Sequence, residues 1–244
     1  MSAPSADVAH TPMPQTHPTA SGTGLTPVPV ALLLPPPARN DDTTTTPGGM
    51  PDWCGITARD IARLIATYSE PDDIVLNLDA HPTINGAAAH LHRHPVTPLT
   101  DRDPHRVPCK GVAPEAMPRH DAGLLVVSLP CAGIKGLDVH DLARAVRTWR
   151  PALRPGGYLL VALRAPTPEL GATSPRATVI AAARAAGLIY HQHILAVLAP
   201  LPEVEPRAMP DTAASTTPAL RDGRHAPAFH DVLVFATTAG GTDA

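Results

Sequence analysis

Short runs of branched apolar residues alternate with amphipathic segments along the middle of this chain. The clearest runs are 73–78, 123–128 and 158–163, and apolar residues recur at helical spacing over 138–153. Strands that are apolar at nearly every position are typical of parallel sheets covered on both faces. An amphipathic helix between two such strands can cover one face of the sheet. The alternation therefore predicts an α/β fold with a doubly wound, mostly parallel sheet.

The expected elements follow from periodicity and from turn residues. Thr57 is a plausible N-cap for the first helix, with Asp60 three residues later. The last two strands have no helix between them, which predicts an antiparallel hairpin at the edge of the sheet. Helices are predicted over 57–68, 84–94, 138–153 and 175–186, and strands over 27–34, 73–78, 96–100, 123–128, 158–163, 189–199 and 231–236.

Proline-rich segments indicate where the domain is expected to begin and where it carries an insert. The 244 residues include 31 prolines, well above the usual share of about 5%. Residues 1–26 are rich in Pro, Thr and Ser without periodicity, so we expect a disordered tail. Residues 27–240 then form one domain, which carries a flexible proline-rich insert at 201–228.

Charge and cysteine content exclude several classes of protein. The 19 basic and 22 acidic residues give a net charge of −3, so bulk positive charge does not hold this chain to nucleic acid or to anionic lipid. Cys54, Cys109 and Cys131 form no CxxC pair, which argues against a cysteine zinc site and against a disulfide framework. Free thiols and the lack of a signal-peptide pattern predict a cytoplasmic protein without a membrane partner.

Four segments, in order along the chain, are similar to one family. Residues 68–76 resemble the approach to the first sheet strand of the amino-group DNA methyltransferases, which methylate cytosine N4 or adenine N6. Residues 153–159 resemble the turn before the family's fifth strand. Residues 187–194 and 229–235 resemble its last two strands. The resemblance implies the class I methyltransferase fold, a Rossmann-like doubly wound sheet with a C-terminal antiparallel strand, and S-adenosylmethionine as cofactor.

The resemblance also implies where the cofactor binds. The family's first motif is Asp-Pro-Phe-x-Gly-x-Gly-Thr-Thr, whereas 77–86 reads Asn-Leu-Asp-Ala-His-Pro-Thr-Ile-Asn-Gly. Non-glycine residues stand where glycines would let the backbone approach the cofactor. An acidic residue about 20 positions beyond this loop would bind the ribose hydroxyls. The candidate cofactor residues are Asn77, Asp79, His81, Thr83, Gly86 and Asp101.

The catalytic motif of the family is Asp/Asn/Ser-Pro-Pro-Tyr after the fourth strand. Here Ser128, Pro130 and Cys131 occupy three of its four positions, and Leu129 replaces the first proline. The polar side chain would accept a hydrogen bond from the target amino group. Cys131 stands where an aromatic ring would stack on the flipped base. These three residues are the candidate catalytic residues.

Two functions remain open from the sequence. The first is an S-adenosylmethionine-dependent methyltransferase whose acceptor is DNA, a small molecule or a protein. The second is a catalytically inactive methyltransferase fold that serves as a binding or regulatory module, which the altered loop residues favour. A Rossmann dehydrogenase is disfavoured, because no GxGxxG follows the first strand.

Two pairs of histidines invite a metal interpretation. His90 and His94 would share one face of a helix at i,i+4 spacing, but no third ligand has suitable spacing. His191 and His193 alternate on a predicted strand, so both should lie on the same side of it. We interpret both pairs as surface or rim residues and predict no metal site.

Overall fold

The computed structural model describes residues 28–34, 52–98, 119–131, 137–164, 173–198, 220–221, 224–225 and 229–238. The N-terminal tail, Asp101, Cys109 and most of the insert at 201–228 lie outside these residues. Within the described part of the chain, no helix is long and apolar enough to cross a membrane.

Four α-helices, one short 3-10 helix (Arg150–Ala152) and nine strands form the described structure. A seven-stranded sheet has the order β1-β6-β9-β5-β4-β2-β3, and β7 and β8 form a separate two-stranded sheet. The elements are β1 (Val30–Leu33), α1 (Ala58–Tyr68), β2 (Ile74–Asn77), α2 (Pro82–His90), β3 (His94–Val96), β4 (Ala122–Leu129), α3 (Val139–Trp149), β5 (Leu153–Leu163), α4 (Pro175–Ala185), β6 (Ile189–Val197), β7 (Leu220–Arg221), β8 (Arg224–His225) and β9 (Phe229–Ala236).

The strand order makes the large sheet doubly wound. β2 pairs in parallel with β3 on one side and with β4 on the other, so the winding reverses between β2 and β4. β4 and β5 are also parallel, whereas β9 runs antiparallel to both β5 and β6. The predicted α/β architecture, with a mostly parallel sheet and a C-terminal antiparallel strand, is confirmed.

Helices cover both faces of the sheet. The face that packs on α1 and α2 buries side chains such as Ile65, Ile84 and Val126. The opposite face packs on α3 and α4 and buries Trp149 and Phe235, among others. β4 is buried at all of its positions. The continuous apolar runs thus reflect strands covered on two sides.

The position of the C-terminal strands differs from the sequence expectation. β6 and β9 do pair antiparallel, but β9 lies between β5 and β6 rather than at the edge. The edge strand on this side of the sheet is β1, which pairs with β6 in parallel. β1 and β6 are far apart along the chain, and no local sequence pattern predicts a pairing between such distant segments.

The second helix is shorter than its composition predicted. α2 ends at His90, and the chain turns through His92, whose φ is +58°. His94 then starts β3, which begins two residues before the predicted strand. His90 and His94 therefore do not share one helix face. A left-handed turn at a histidine has no strong sequence signal, since Gly and Asn are the usual residues there.

The prediction that His191 and His193 lie on the same side of β6 is wrong. The register of β6 against β9 shifts between Tyr190 and Gln192. His191 packs against Tyr158 on the α1 face, with ring centroids 5.3 Å apart. His193 Nε2 lies 2.6 Å from Asp231 Oδ1, on the α4 face. A β-bulge places consecutive residues on one side and so inverts the alternation.

Candidate functional site

The carboxyl ends of β2 and β4 are where a sheet of this topology is expected to form a crevice and bind a ligand. Open doubly wound sheets bind ligands where the strand order reverses, beyond the carboxyl ends of the strands. Here the reversal lies between β2 and β4. The loop 78–81 leaves β2 at this point, and Ser128 lies near the end of β4.

Asp79 bridges the two sides of the crevice. Its Oδ2 accepts a hydrogen bond from the Ser128 backbone N–H at 2.8 Å. The same oxygen accepts a hydrogen bond from Trp53 Nε1 at 2.6 Å. Trp53 is almost fully buried, so the indole holds the carboxylate in a fixed position. One carboxylate therefore connects β4, the loop after β2 and the segment that precedes α1.

The Asn77 side chain forms hydrogen bonds with the loop that follows β2 and with helix α2. Its Nδ2 donates to the His81 carbonyl at 3.0 Å and to Asn85 Oδ1 at 2.8 Å. Its Oδ1 accepts a hydrogen bond from the Asp79 N–H at 3.2 Å. The side chain is fully buried, so its polar atoms contact the loop and helix α2. Asn77 shapes the loop that carries Asp79.

The amino end of α2 faces the same crevice. His81 is the N-cap and makes no side-chain capping hydrogen bond, and Pro82 occupies the first turn. No described residue bonds to the buried Nδ1 of His81. Thr83 is fully buried in this first turn. Gly86 lies inside α2 rather than in the loop, so it does not serve as a loop glycine.

Residues 52–56, which precede α1, form a cap segment over the strand ends. Cys54 and Gly55 have positive φ angles of 56° and 76°. The Cys54 carbonyl lies 2.8 Å from His230 Nδ1. A Cβ at Gly55 would lie 2.7 Å from Leu198 Cδ2, so only glycine fits there without a shift. The cap segment thereby contacts the ends of β6 and β9 as well as Asp79.

Burial sets the electrostatics of the crevice. It raises the pKa of Asp79, although hydrogen bonds from Trp53 and from the Ser128 amide and hydroxyl oppose the shift, as does the Arg164 charge. Burial also raises the pKa of Cys54 to about 11, so its thiol is protonated at neutral pH. Burial lowers the pKa of His81, which is therefore neutral there. The crevice thus disfavours the charge of Asp79, and a bound cation would favour it.

The predicted catalytic residues lie beside this network. Ser128 is buried within β4, and its amide is the one bound to Asp79. Pro130 is half-buried and follows β4. Cys131 is disulfide-bonded, and its partner lies outside the described residues. The expectation of a free thiol is therefore wrong at Cys131.

Sequence reasoning missed three residues of the site. Trp53 and Cys54 come from the cap segment, and Arg164 follows β5 at the same edge of the sheet. Arg164 could have been found, because the carboxyl ends of parallel strands share one edge. No sequence signal pairs Trp53 with an acid 26 residues later. Asp101, the predicted ribose ligand, lies outside the described residues.

Comparisons with known proteins give likeness at the level of structure. No family model matches the sequence, and no curated protein matches it significantly. A TehB-like SAM-dependent methyltransferase from Corynebacterium glutamicum aligns at 14% identity and a TM-score of 0.42, covering 73% of this chain and 87% of that one. TrmN from Thermus thermophilus aligns at 16% identity and a TM-score of 0.42, covering 75% and 48%. The antibiotic-resistance methyltransferase Kmr aligns at 17% identity and a TM-score of 0.39, covering 72% and 93%.

These identities and scores are low, so the strand order decides the assignment. The described sheet is doubly wound about β2 and β4, and its final strand is inserted antiparallel between β5 and β6. This strand arrangement is similar to that of the class I methyltransferases, as the sequence resemblance implied. In this fold, Asp79 and Ser128 flank the point where the winding reverses.

Proposed function

We propose that this chain binds S-adenosylmethionine in the crevice between β2 and β4 and transfers its methyl group. The observation that carries the proposal is the position of Asp79. Donors from Trp53 and Ser128 hold its carboxylate at the reversal point of the sheet, where burial opposes its charge. A carboxylate kept in such a position is suited to a cationic ligand.

The described residues of the crevice fit the charges of this cofactor. The ammonium and sulfonium groups of S-adenosylmethionine are cations that an ionised Asp79 would attract. The cofactor's own carboxylate would be favoured at the start of α2, where the side chain of the N-cap residue His81 makes no capping hydrogen bond. The unpartnered Nδ1 of His81 offers a further polar contact at the same place. The ribose would bind near Asp101, as the family resemblance implies.

The residues around Ser128 would position the methyl acceptor. S-adenosylmethionine supplies an activated methyl group, so the protein contributes mainly alignment. The Ser128 hydroxyl would accept a hydrogen bond from an acceptor amino group while Asp79 lies behind it. Arg164 donates its backbone N–H to the Leu129 carbonyl at 2.8 Å, which fixes the end of β4 beneath the acceptor. Pro130 would form part of the wall.

The acceptor that best suits Ser128 is an exocyclic amino group, as in cytosine N4 or adenine N6. Ser128 and Pro130 occupy the first and third positions of the catalytic motif in the amino-group DNA methyltransferases. This match and the wider resemblance to that family support the choice. Cys131 offers less stacking surface than an aromatic ring, so base binding would be weak. Transfer of radiolabelled methyl to single-stranded oligonucleotides, compared with oligonucleotides lacking adenine and cytosine, tests this acceptor.

Calorimetric titration with S-adenosylmethionine and S-adenosylhomocysteine tests the proposal. We expect micromolar binding, about −8 kcal/mol, and loss of most of it in Asp79→Asn. Asp72→Asn is the matched control. Asp72 is exposed and lies before β2, at the amino ends of the parallel strands and so away from the proposed site. Absence of heat and of thermal stabilisation at millimolar ligand would overturn the proposal.

A catalytically inactive binding module is the second candidate. The contacts of Asn77 favour it, because this side chain is fully engaged within the loop and α2. Pro82 also removes one N–H from the start of α2. Under this alternative, the network of Asp79 only joins the cap segment to the sheet. Failure of the titration would then leave a methyltransferase fold that binds another partner.

A further inference from the structure

The outer edge of β1 is open among the described residues. β1 pairs with β6 on one side, and no described strand pairs with its other side. The His193 N–H donates to the Pro29 carbonyl at 3.0 Å, so Pro29 directs its backbone toward β6. Backbone direction alternates along a strand, so Val30 and Leu32 direct their N–H and C=O groups outward. The missing N–H of Pro29 lies on the paired side and leaves the outer edge intact.

The side chains of this edge are apolar and exposed. Val30 is 63% exposed, Leu32 59% and Leu34 47%. Val30 pairs with His193, which contacts Asp231, so this side of β1 is the α4 face. No charged residue occurs in 28–34. Natural sheets normally protect an open edge with charges, bulges or covering segments.

We propose that a second copy of this chain pairs with β1 and continues the sheet across a two-fold axis. The strands would run antiparallel and centre on Leu32. Leu32 then faces its own counterpart, and Val30 faces the partner's Leu34. In this register the outward N–H and C=O groups of both copies meet as hydrogen-bonded pairs.

A second copy fits the edge because the edge is self-complementary. A two-fold interface places the same patch on both subunits, so a charged edge would oppose itself, whereas this edge carries no charge. With the axis perpendicular to the sheet, the exposed side chains of both copies lie on the same face and contact one another. The paired segment is short, so it should bury less surface than the roughly 800 Å² per partner that is usual in a stable complex. We therefore expect a dissociation constant in the micromolar range.

Sedimentation equilibrium of the full chain, from low micromolar to submillimolar concentration, tests the proposal. We expect a monomer–dimer equilibrium. Leu32→Pro removes an outward N–H but none that bonds to β6, so the fold should persist while the dissociation constant rises about tenfold or more. Leu32→Lys places like charges opposite each other and should have a similar effect.

Ile189→Lys is the matched control. Ile189 is also an exposed apolar strand residue, at 52%, but it lies at the start of β6, away from the open edge. This variant should dimerise as the wild type does, and far-UV circular dichroism should be the same for all variants. A wild-type chain that stays monomeric over the whole range would overturn the proposal, as would a dimer that both Leu32 variants leave intact.

Discussion

At the residue scale, Asp79 lies where a cationic ligand could bind, but burial of its ionised carboxylate lowers the stability of the fold. Its carboxylate lies between Trp53 and Ser128, and burial raises its pKa. The sequence indicated Asp79 as a candidate because it lies in the segment that resembles the family's first motif, two residues after Asn77. The contact with Trp53 could not be predicted, since it depends on how the cap segment crosses the strand ends.

Asp79→Asn should change how stability depends on pH. Because the folded-state pKa of Asp79 is raised, its contribution to stability is fully present below the unfolded pKa of about 3.9 and is lost as pH rises through the folded pKa. The asparagine cannot ionise and keeps an oxygen that accepts both hydrogen bonds. We therefore expect the variant to gain thermal stability relative to wild type between pH 4 and pH 7.

Thermal melts of both proteins across this pH range measure the effect. Asp72→Asn serves as the control, because its site is exposed. A variant that is destabilised equally at both ends of the range would show that ionisation of Asp79 does not oppose folding.

Gly123 illustrates a residue whose role appears only in three dimensions. A Cβ at Gly123 would lie 2.1 Å from Asp73 Oδ2. Asp73 in turn pairs with Arg154, with Oδ1 3.0 Å from Nε and Oδ2 3.0 Å from Nη2. Gly123→Ala must therefore displace this ion pair, and we expect a loss of about 1–3 kcal/mol in the free energy of unfolding.

Urea denaturation in two backgrounds isolates the cause of this loss. The substitution should cost much less in an Asp73→Ala protein, because the clashing carboxylate is gone. Equal costs in both backgrounds would place the strain elsewhere.

At the element scale, interior elements were predictable and their ends were not. The strands β4 and β5 are apolar because both faces of the sheet are covered, and this pattern is visible in the sequence. The end of α2 and the bulge in β6 depend on local backbone choices at His92 and His191. Neither residue type signals such a choice.

The start of α1 is an element boundary that the sequence did predict. The Thr57 hydroxyl oxygen accepts a hydrogen bond from the Asp60 N–H at 3.3 Å, and the hydroxyl donates to Asp60 Oδ2 at 2.8 Å. Thr57→Ala should cost about 1 kcal/mol of stability, because the Asp60 N–H loses its acceptor. Thr57→Ser should retain most of it in the same chemical denaturation experiment. A serine variant as unstable as the alanine variant would exclude capping as the reason.

At the scale of the whole molecule, topology links the sequence to the proposed site. Alternating strands and helices predicted the doubly wound sheet, and the reversal of winding predicts the ligand crevice. The pairing of β1 with β6 and the interior position of β9 were not predictable, because they join distant parts of the chain. The Asp79 network is likewise a product of that topology, since it connects β4 to the segment before α1.

Hydrogen–deuterium exchange with and without S-adenosylhomocysteine tests the central claim most directly, because it locates the bound ligand. We expect slower exchange in residues 77–85 and in peptides that include Ser128, on both sides of the crevice. Peptides from the amino ends of the strands, near Asp73 and Arg154, should exchange unchanged. Protection confined to another surface, or no protection at millimolar ligand, would contradict a cofactor site between β2 and β4.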